Sequence, residues 1–208
     1  RYVSGPDADP SGRLFDSQLH VVNPGRNIVQ VDVSFRGYAG SCQGQTYATQ
    51  RHEVSPGGAL GIGPSVDGPI GIRSGLPVGC LASAVVRARG GGVLATVIDG
   101  SVGPATMGHG YAAVAAAAGD TKVHLPAVRR RFGLSLMSTA IHTMNVSDTP
   151  VRATLTLRGL DGTTLPTCAA CTTWIEPGAA FTWWPQAIPE LADGWLGSAM
   201  VLGDHPVV

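Results

Sequence analysis

The sequence contains little charge. Asp, Glu, Lys and Arg make up 13% of its 208 residues, about half of the share that is usual in soluble globular proteins. Acidic and basic residues balance at 14 each, so the chain has no basic field that would attract nucleic acid or anionic lipid. We therefore expect no nucleic-acid partner.

Long apolar runs are also missing. No run of about 18 apolar residues occurs, so we expect no membrane insertion. The 29 glycines and 15 prolines interrupt the chain every few residues, which favours short strands joined by turns. The Ala-rich stretch from Val114 to Ala118 is too short for a stable helix, and we expect it to be extended and to lead into a linker.

The residue patterns of common enzymes are absent as well. The chain has no Gly-x-Ser-x-Gly nucleophile turn, no His-Glu-x-x-His zinc motif and no phosphate-binding glycine loop that opens a helix. Its glutamates, Glu53, Glu176 and Glu190, are expected at turns or strand ends rather than as a facing pair across a cleft. We predict a non-enzymatic protein without a resident metal or cofactor.

Four cysteines are present, Cys42, Cys80, Cys168 and Cys171. Structural zinc needs four converging ligands, usually from two closely spaced pairs, whereas Cys42 and Cys80 are far apart in the sequence. We expect the disulfides Cys42–Cys80 and Cys168–Cys171, with zinc and free thiols as the alternatives. Because disulfides form in oxidising compartments, this pattern predicts a secreted or cell-surface protein.

The second half of the sequence resembles the first. Leu19–Asn23 reappears as Ile141–Asn145, an offset of 122 residues between His20 and His142. Later matches keep their order: Val29 with Val151, Arg36 with Arg158, Val54–Ala59 with Ile175–Ala180, and Leu76–Val86 with Leu191–Val201. Such self-similarity predicts two copies of one module, which we assign to residues 1–118 and 119–208.

Each copy contains a strand in which apolar and polar residues alternate, within Ile28–Arg36 in the first and Val151–Arg158 in the second. This period of two predicts one buried face, which in the first copy consists of Val29, Val31, Val33 and Phe35. Turns are expected at Gly37–Gly40, Gly159–Gly162 and the Pro-Gly pairs. Short strands with regular turn signals predict an all-β fold of two tandem sandwiches.

A family resemblance rests on several of these motifs. They are the Asn-x-Ser-x-Thr-Pro-Val run at Asn145–Val151, the turn Arg158–Gly162, the pair Pro177-Gly178, and the closing segment Gly194–Val201 with Asp204–Val207. Their order resembles the immunoglobulin-like repeats of large bacterial surface and secreted proteins. The resemblance implies an immunoglobulin-like β-sandwich in a surface setting, and it carries no active site.

The ends of the two copies differ. The first copy continues into a strand-like segment, Val93–Ile98, whereas the second stops at Val207 and Val208, where that strand should begin. Conversely, a strand-like lead-in containing Val123 and Leu125 precedes the second copy, and only Arg1, Tyr2 and Val3 precede the first. We expect open sheet edges at these residues. Either the chain is cut from a longer protein, or neighbouring copies complete each other's sheets.

Two possible metal sites are weighed. Asp7, Asp9 and Ser11 resemble the start of a calcium loop, but the twelfth position is Gln18 rather than a bidentate glutamate. A solvated turn is the simpler interpretation. His20 and His142 occupy equivalent positions in the repeat, and we expect both to be half-buried structural residues.

All four tryptophans lie in the second copy. Trp174 and Trp183 are expected to fill the core, whereas the adjacent Trp184 must face the opposite side of its strand and is a candidate glycan or subunit contact. Asn145-Val146-Ser147 is a sequon, so Asn145 is a possible glycosylation site.

These observations favour a structural subunit of an extracellular filament or cell-surface layer. It would self-associate through sheet edges and end-to-end contacts. The alternative is a carbohydrate-binding or adhesin module of a larger surface protein, with glycans as partners.

Overall fold

The computed structural model describes residues 2–4, 7–8, 14–48, 51–63, 71–102, 108–134, 138–165 and 168–208. In these ranges the regular structure is β-strand with three short 3-10 helices, so the predicted all-β class is confirmed. The chain divides into two compact units, residues 1–113 and 114–208. The boundary predicted after residue 118 therefore lies slightly later in the chain than the observed boundary after residue 113.

Part of the stretch between Val114 and Ala118 is not extended as expected. Ala116–Ala118 forms a 3-10 helix. The N–H of Ala118 donates to the carbonyl of Ala115 at 2.8 Å, and the N–H of Gly119 donates to the carbonyl of Ala116 at 3.0 Å. One such turn is consistent with the short length of the segment, since 3-10 structure is used in short pieces.

The first unit consists of two sheets. In the first sheet the strand order is β1-β9-β4-β5, with β6 also paired to β4; in the second it is β11-β10-β3-β7-β8, with β2 beside β3. The described strands are β1 (Tyr2–Ser4), β2 (Asp7–Ala8), β3 (Leu14–Val22), β4 (Val29–Gly40), β5 (Thr46–Ala48), β6 (His52–Val54), β7 (Ala59–Gly63), β8 (Gly71–Arg73), β9 (Cys80–Arg89), β10 (Leu94–Val102) and β11 (Gly108–Ala112).

The second unit is built in the same way from fewer strands. Its larger sheet has the order β12-β17-β14-β15, and its smaller sheet pairs β13 with β16. The strands are β12 (Asp120–Arg130), β13 (Ile141–Met144), β14 (Val151–Gly159), β15 (Thr172–Ile175), β16 (Ala180–Trp183) and β17 (Trp195–Val207), and 3-10 helices cover Ala169–Cys171 and Pro185–Ala187.

The alternating strands supply the two cores as predicted. In β4 the side chains of Val29, Val31, Val33 and Phe35 are at most 1% exposed. In β14 the buried side chains are Val151, Ala153, Leu155 and Leu157. Apolar burial contributes about 25 cal/mol per Å² of surface removed from water, so each of these strands stabilises the core of its unit through four buried side chains.

Equivalent positions of the repeat have equivalent pairing partners. In the first unit Val29 of β4 lies opposite Val54 of β6, and in the second Val151 of β14 lies opposite Ile175 of β15. The order β1-β9-β4-β6 in the first unit therefore corresponds to β12-β17-β14-β15 in the second, and β3-β7 corresponds to β13-β16.

The strongest correspondence is a pair of fully buried asparagines, Asn23 and Asn145. Asn23 Nδ2 donates to the carbonyls of Asn27 and Val54 at 2.8 and 2.9 Å, and Asn23 Oδ1 accepts the N–H of Gly25 at 2.9 Å. Asn145 forms the same three bonds. Its Nδ2 donates to the carbonyls of Thr149 and Ile175 at 2.7 and 2.8 Å, and its Oδ1 accepts the N–H of Ser147 at 2.8 Å. Each amide thus satisfies backbone groups that a buried turn would otherwise leave unpaired.

Both predicted disulfides are present, Cys42–Cys80 and Cys168–Cys171, so the zinc and free-thiol alternatives do not apply. Cys42–Cys80 joins the turn after β4 to the first residue of β9. This turn begins later than predicted, because β4 continues through Gly37 to Gly40. Gly37 packs directly against the turn: a Cβ at this position would lie 2.0 Å from the carbonyl oxygen of Cys42.

Candidate functional site

Four of the residues expected at sheet edges lie on outermost strands. Tyr2 and Val3 belong to β1, which pairs with β9, and Val123 and Leu125 belong to β12, which pairs with β17. Arg1 lies outside the described residues. Strand β12 also carries two register irregularities, between Asp120 and Lys122 and between Leu125 and Val128, and such bulges discourage pairing with another chain.

The predicted open edge at Val207 and Val208 is wrong. Val207 is fully buried and forms a β-bridge with Asn145. Val208 exchanges two backbone hydrogen bonds with Met144, at 2.9 and 3.0 Å. The last two residues are therefore already paired inside the second unit, since strand β17 continues beyond the repeated segment.

A different edge of the second unit is less covered. Strand β13 pairs with β16 on one side, and the described pairing on its other side is that of Met144 with Val208. In the first unit the corresponding strand β3 lies between β7 and β10, and Val22, which matches Met144, lies opposite Leu94 at the start of β10. Val208 therefore occupies the position at which a counterpart of β10 would begin.

Asn145 is not an accessible glycosylation site in this fold. Its side chain is fully buried, and both hydrogens of Nδ2 are donated to backbone carbonyls. A glycan on Nδ2 would displace at least one of these bonds and would have no room. The sequon arises because Ser147 supports the same turn, donating its hydroxyl to Asn145 Oδ1 at 2.8 Å.

The tryptophans do not all lie where expected. Trp183 is buried as predicted and donates its indole N–H to the carbonyl of Ala170 at 3.2 Å. Trp184 is half-buried and meets the ring of His142 edge-on, with centroids 6.4 Å apart. The expectation that Trp174 fills the core is wrong, because its side chain is 63% exposed.

The repeat itself contains the signal that places Trp174 outside. Ile175 matches the buried Val54, so Trp174 takes the outward position that Glu53 occupies in the first unit. Strand residues alternate between the two faces of a sheet, and this rule outweighs the general tendency of large rings to be buried.

Trp174 belongs to an outward surface that we call the Trp174 face. It comprises Arg152 and Thr154 of β14, Thr172 and Trp174 of β15, Leu202 and Asp204 of β17, and Lys122 of β12. Cross-strand pairs bring them together: Arg152 lies opposite Trp174, Thr154 lies opposite Thr172 and Leu202, and Leu202 lies opposite Lys122.

Two hydrogen bonds order this face. The hydroxyls of Thr154 and Thr172 are 3.2 Å apart, and the backbone N–H of Arg152 donates to Asp204 Oδ1 at 2.8 Å. A shallow depression of about 400 Å³ is lined by Arg152, Thr154, Leu202, Gly203 and Asp204. Among the described residues, the Arg152 guanidinium has no ion-pair partner.

The corresponding face of the first unit has a different character. Its counterparts of Arg152, Thr154 and Trp174 are Gln30, Asp32 and Glu53. Asp32 forms an ion pair with Arg51 at 3.0 Å, and the hydrogen bond from the Arg51 side chain lowers the pKa of Asp32 below its ordinary value. The first unit thus presents an ion-paired hydrophilic surface where the second presents an exposed indole.

A separate cavity of about 220 Å³ adjoins the Cys168–Cys171 disulfide and is lined mainly by apolar side chains, including Leu155, Leu157 and Ile188. Among the described residues that line it, Glu190 is the one that carries a carboxyl group. A single carboxyl group is not the facing pair of carboxylates that glycosidases use.

The candidate metal residues are not brought together. His20 and His142 are half-buried as expected, and in the described ranges no three His, Cys, Asp or Glu side chains converge on one point. Asp7 lies in β2, whereas Asp9 and Ser11 fall outside the described residues, so neither the solvated turn nor the calcium loop is tested. The described part of the chain contains no helix of sufficient length and hydrophobicity to cross a bilayer.

No protein-family model and no curated protein matches this chain. Among the solved structures, the following two are similar to this chain in part. The Anabaena sensory rhodopsin transducer has 10% identity and a TM-score of 0.36, over 43% of this chain and 93% of its own. A presumed secreted protein from Parabacteroides distasonis ATCC 8503 has 9% identity and a TM-score of 0.24, over 91% of this chain and 66% of its own. Similarities this low carry no functional conclusion.

Proposed function

We propose that this chain is a structural subunit of an extracellular filament or cell-surface layer, and that its two units are duplicated immunoglobulin-like modules. The repeated asparagine bonds and the matching strand orders support the duplication. The two disulfides support an oxidising, extracellular location. Two crosslinked sandwiches would serve as stiff spacers.

Strand β13 supports the proposed assembly, because its edge opposite β16 is only partly covered by the described residues. In the first unit the corresponding β3 is paired with β10 along its length, from Val22 opposite Leu94 to Leu14 opposite Val102. A strand from a neighbouring copy, placed beside β13, would extend the pairing that Val208 begins. Strand addition of this kind forms main-chain hydrogen bonds that make the contact strong, and alternate side chains make it specific.

This proposal predicts that a strand peptide will block assembly. A peptide with the sequence Ala95–Val102 should bind the second unit in the place of the neighbour's strand, because the same sequence fills the corresponding position in the first unit, and Val208 already occupies the position that matches Leu94. We expect filaments of the purified protein to shorten as the peptide concentration rises, as measured by negative-stain electron microscopy. Binding should be saturable at one peptide per chain in isothermal titration calorimetry.

The matched control is the same peptide carrying Thr96→Pro. Proline has no N–H and interrupts the ladder of hydrogen bonds, so this peptide should neither bind nor shorten filaments. Dispersed single chains at all concentrations, with no peptide binding, would contradict the proposal. The proposal would also be contradicted if the native chain were longer than this sequence and its own additional residues formed the strand beside β13. An intact-mass measurement would reveal such a chain.

A further inference from the structure

The Trp174 face has the composition of a small-ligand site rather than of an ordinary sheet surface. Its aromatic ring is 63% exposed, and it adjoins a guanidinium, two hydroxyls and a carboxylate in cross-strand register. Directly opposite residues of an antiparallel pair have Cβ atoms about 5 Å apart, so the side chains of Arg152 and Trp174 are neighbours on one face. A single exposed apolar side chain needs no functional explanation. This face differs because the indole adjoins a guanidinium that has no ion-pair partner among the described residues.

The first unit shows that this chemistry is not required by the fold. At equivalent positions it has Gln30, Asp32 and Glu53, with Asp32 paired to Arg51. Leu202 of the second unit likewise corresponds to Arg87, since Thr154 lies opposite Leu202 and Asp32 lies opposite Arg87. The corresponding sheet of the first unit therefore tolerates a fully polar surface at these positions, so the fold does not require the indole and leucine there.

We propose that the Trp174 face binds an acidic saccharide, through one pyranose unit that carries a carboxylate. The apolar face of a pyranose ring would lie on the Trp174 indole, which removes apolar surface of both from water. The carboxylate would accept hydrogen bonds from the Arg152 guanidinium, whose planar fork matches a carboxylate in two parallel bonds. The hydroxyls of Thr154 and Thr172 and the outer oxygen of Asp204 lie on the same surface and would bind sugar hydroxyls.

The positively charged side chains on this face favour an acidic sugar over a neutral one. Arg152 has no ion-pair partner among the described residues, and Lys122 is exposed across the strand from Leu202. One oxygen of Asp204 accepts a hydrogen bond from the backbone N–H of Arg152. A ligand carboxylate near Arg152 would thus meet an unpaired cation. The shallow, open depression is lined by Arg152, Thr154 and Asp204 and lies beside Trp174.

The proposal is independent of filament assembly, because the face belongs to the larger sheet and β13 belongs to the smaller one. The probe is trigalacturonate, and its methyl ester is the neutral control with the same rings. We expect trigalacturonate to change the tryptophan fluorescence of the protein saturably. The methyl ester should bind at least tenfold more weakly, because it lacks the charge that Arg152 would contact.

Three variants locate the site. Trp174→Ala and Arg152→Gln should each weaken trigalacturonate binding at least tenfold in calorimetry, whereas Glu53→Ala, at the equivalent position of the first unit, should leave it unchanged. Circular dichroism would check that each variant is folded, and exposed positions such as these should tolerate substitution. Absence of trigalacturonate binding, equal binding of the methyl ester, or equal losses in Glu53→Ala would overturn the proposal.

Discussion

Asn145→Asp is expected to lower the free energy of unfolding of the second unit by roughly 4 kcal/mol at pH 7. Asn145 is fully buried, and its Nδ2 donates to the carbonyls of Thr149 and Ile175. A carboxylate of nearly identical shape cannot donate. It would place a buried negative charge against two carbonyl oxygens, with only the Ser147 donors in compensation.

The loss should depend on pH. Burial and the two facing carbonyls would raise the pKa of the introduced carboxyl above its unfolded value of about 3.9. Below that value the group is protonated in both states and can donate one bond, so the variant should be least destabilised near pH 3 to 4. As pH rises towards the raised folded pKa, the unfolded state ionises first, and the destabilisation should grow until it levels off above that pKa.

The distribution of aromatic residues makes this measurable unit by unit. All tryptophans lie in the second unit and all tyrosines lie in the first, so tryptophan fluorescence during urea unfolding reports the second unit alone. The control is Asn23→Asp, which should shift the circular dichroism transition and leave the fluorescence transition in place. A fluorescence midpoint for Asn145→Asp that matches the parent at neutral pH would refute the buried-amide argument.

Removing the Cys42–Cys80 disulfide is expected to destabilise the first unit by about 4 kcal/mol, from the entropy of a crosslink that spans 38 residues. The double variant Cys42→Ala with Cys80→Ala is the appropriate form, because both cysteines are fully buried and alanine introduces no polar atom. Hydrogen exchange monitored by mass spectrometry should show faster exchange in β4 and β9, with the second unit unaffected.

The second disulfide provides an internal comparison. Cys168 and Cys171 are separated by 3 residues, so the same entropy argument gives no more than about 2 kcal/mol for their double alanine variant. The two effects should therefore differ in size and should appear in different units. Equal destabilisation by both double variants would show that packing around the sulfur atoms, rather than chain entropy, controls the contribution.

Much of this fold is predictable because short-range patterns determine it. Alternation in β4 and β14 identified the buried valines and leucines, since a strand has only two faces. Cysteine spacing predicted both disulfides. The repeat between Leu19–Asn23 and Ile141–Asn145 predicted equivalent strands, and the matched bonds of Asn23 and Asn145 are the atomic form of that repeat.

The remaining features depend on long-range pairing or on burial that a local motif does not reveal. The sequon at Asn145 is indistinguishable in sequence from an exposed one, although its amide is buried. Val208 looked like an open strand, yet it pairs with Met144, more than sixty positions earlier in the chain. Trp174 was predicted to lie in the core because large rings are usually buried, whereas the alternation of side chains along β15 places it on the outer face.

The Cys42–Cys80 crosslink also sets a limit on mechanical extension. Residues between the two cysteines cannot contribute to the contour length of a pulled chain, and 38 residues would otherwise supply about 130 Å at roughly 3.5 Å each. Stretching the first unit at constant force would therefore release a shorter length than its residue count allows, and a reducing agent would restore the difference. In a filament under tension, the intact disulfide would limit the extension of the first unit. Reducing surroundings would break the bond and remove that limit.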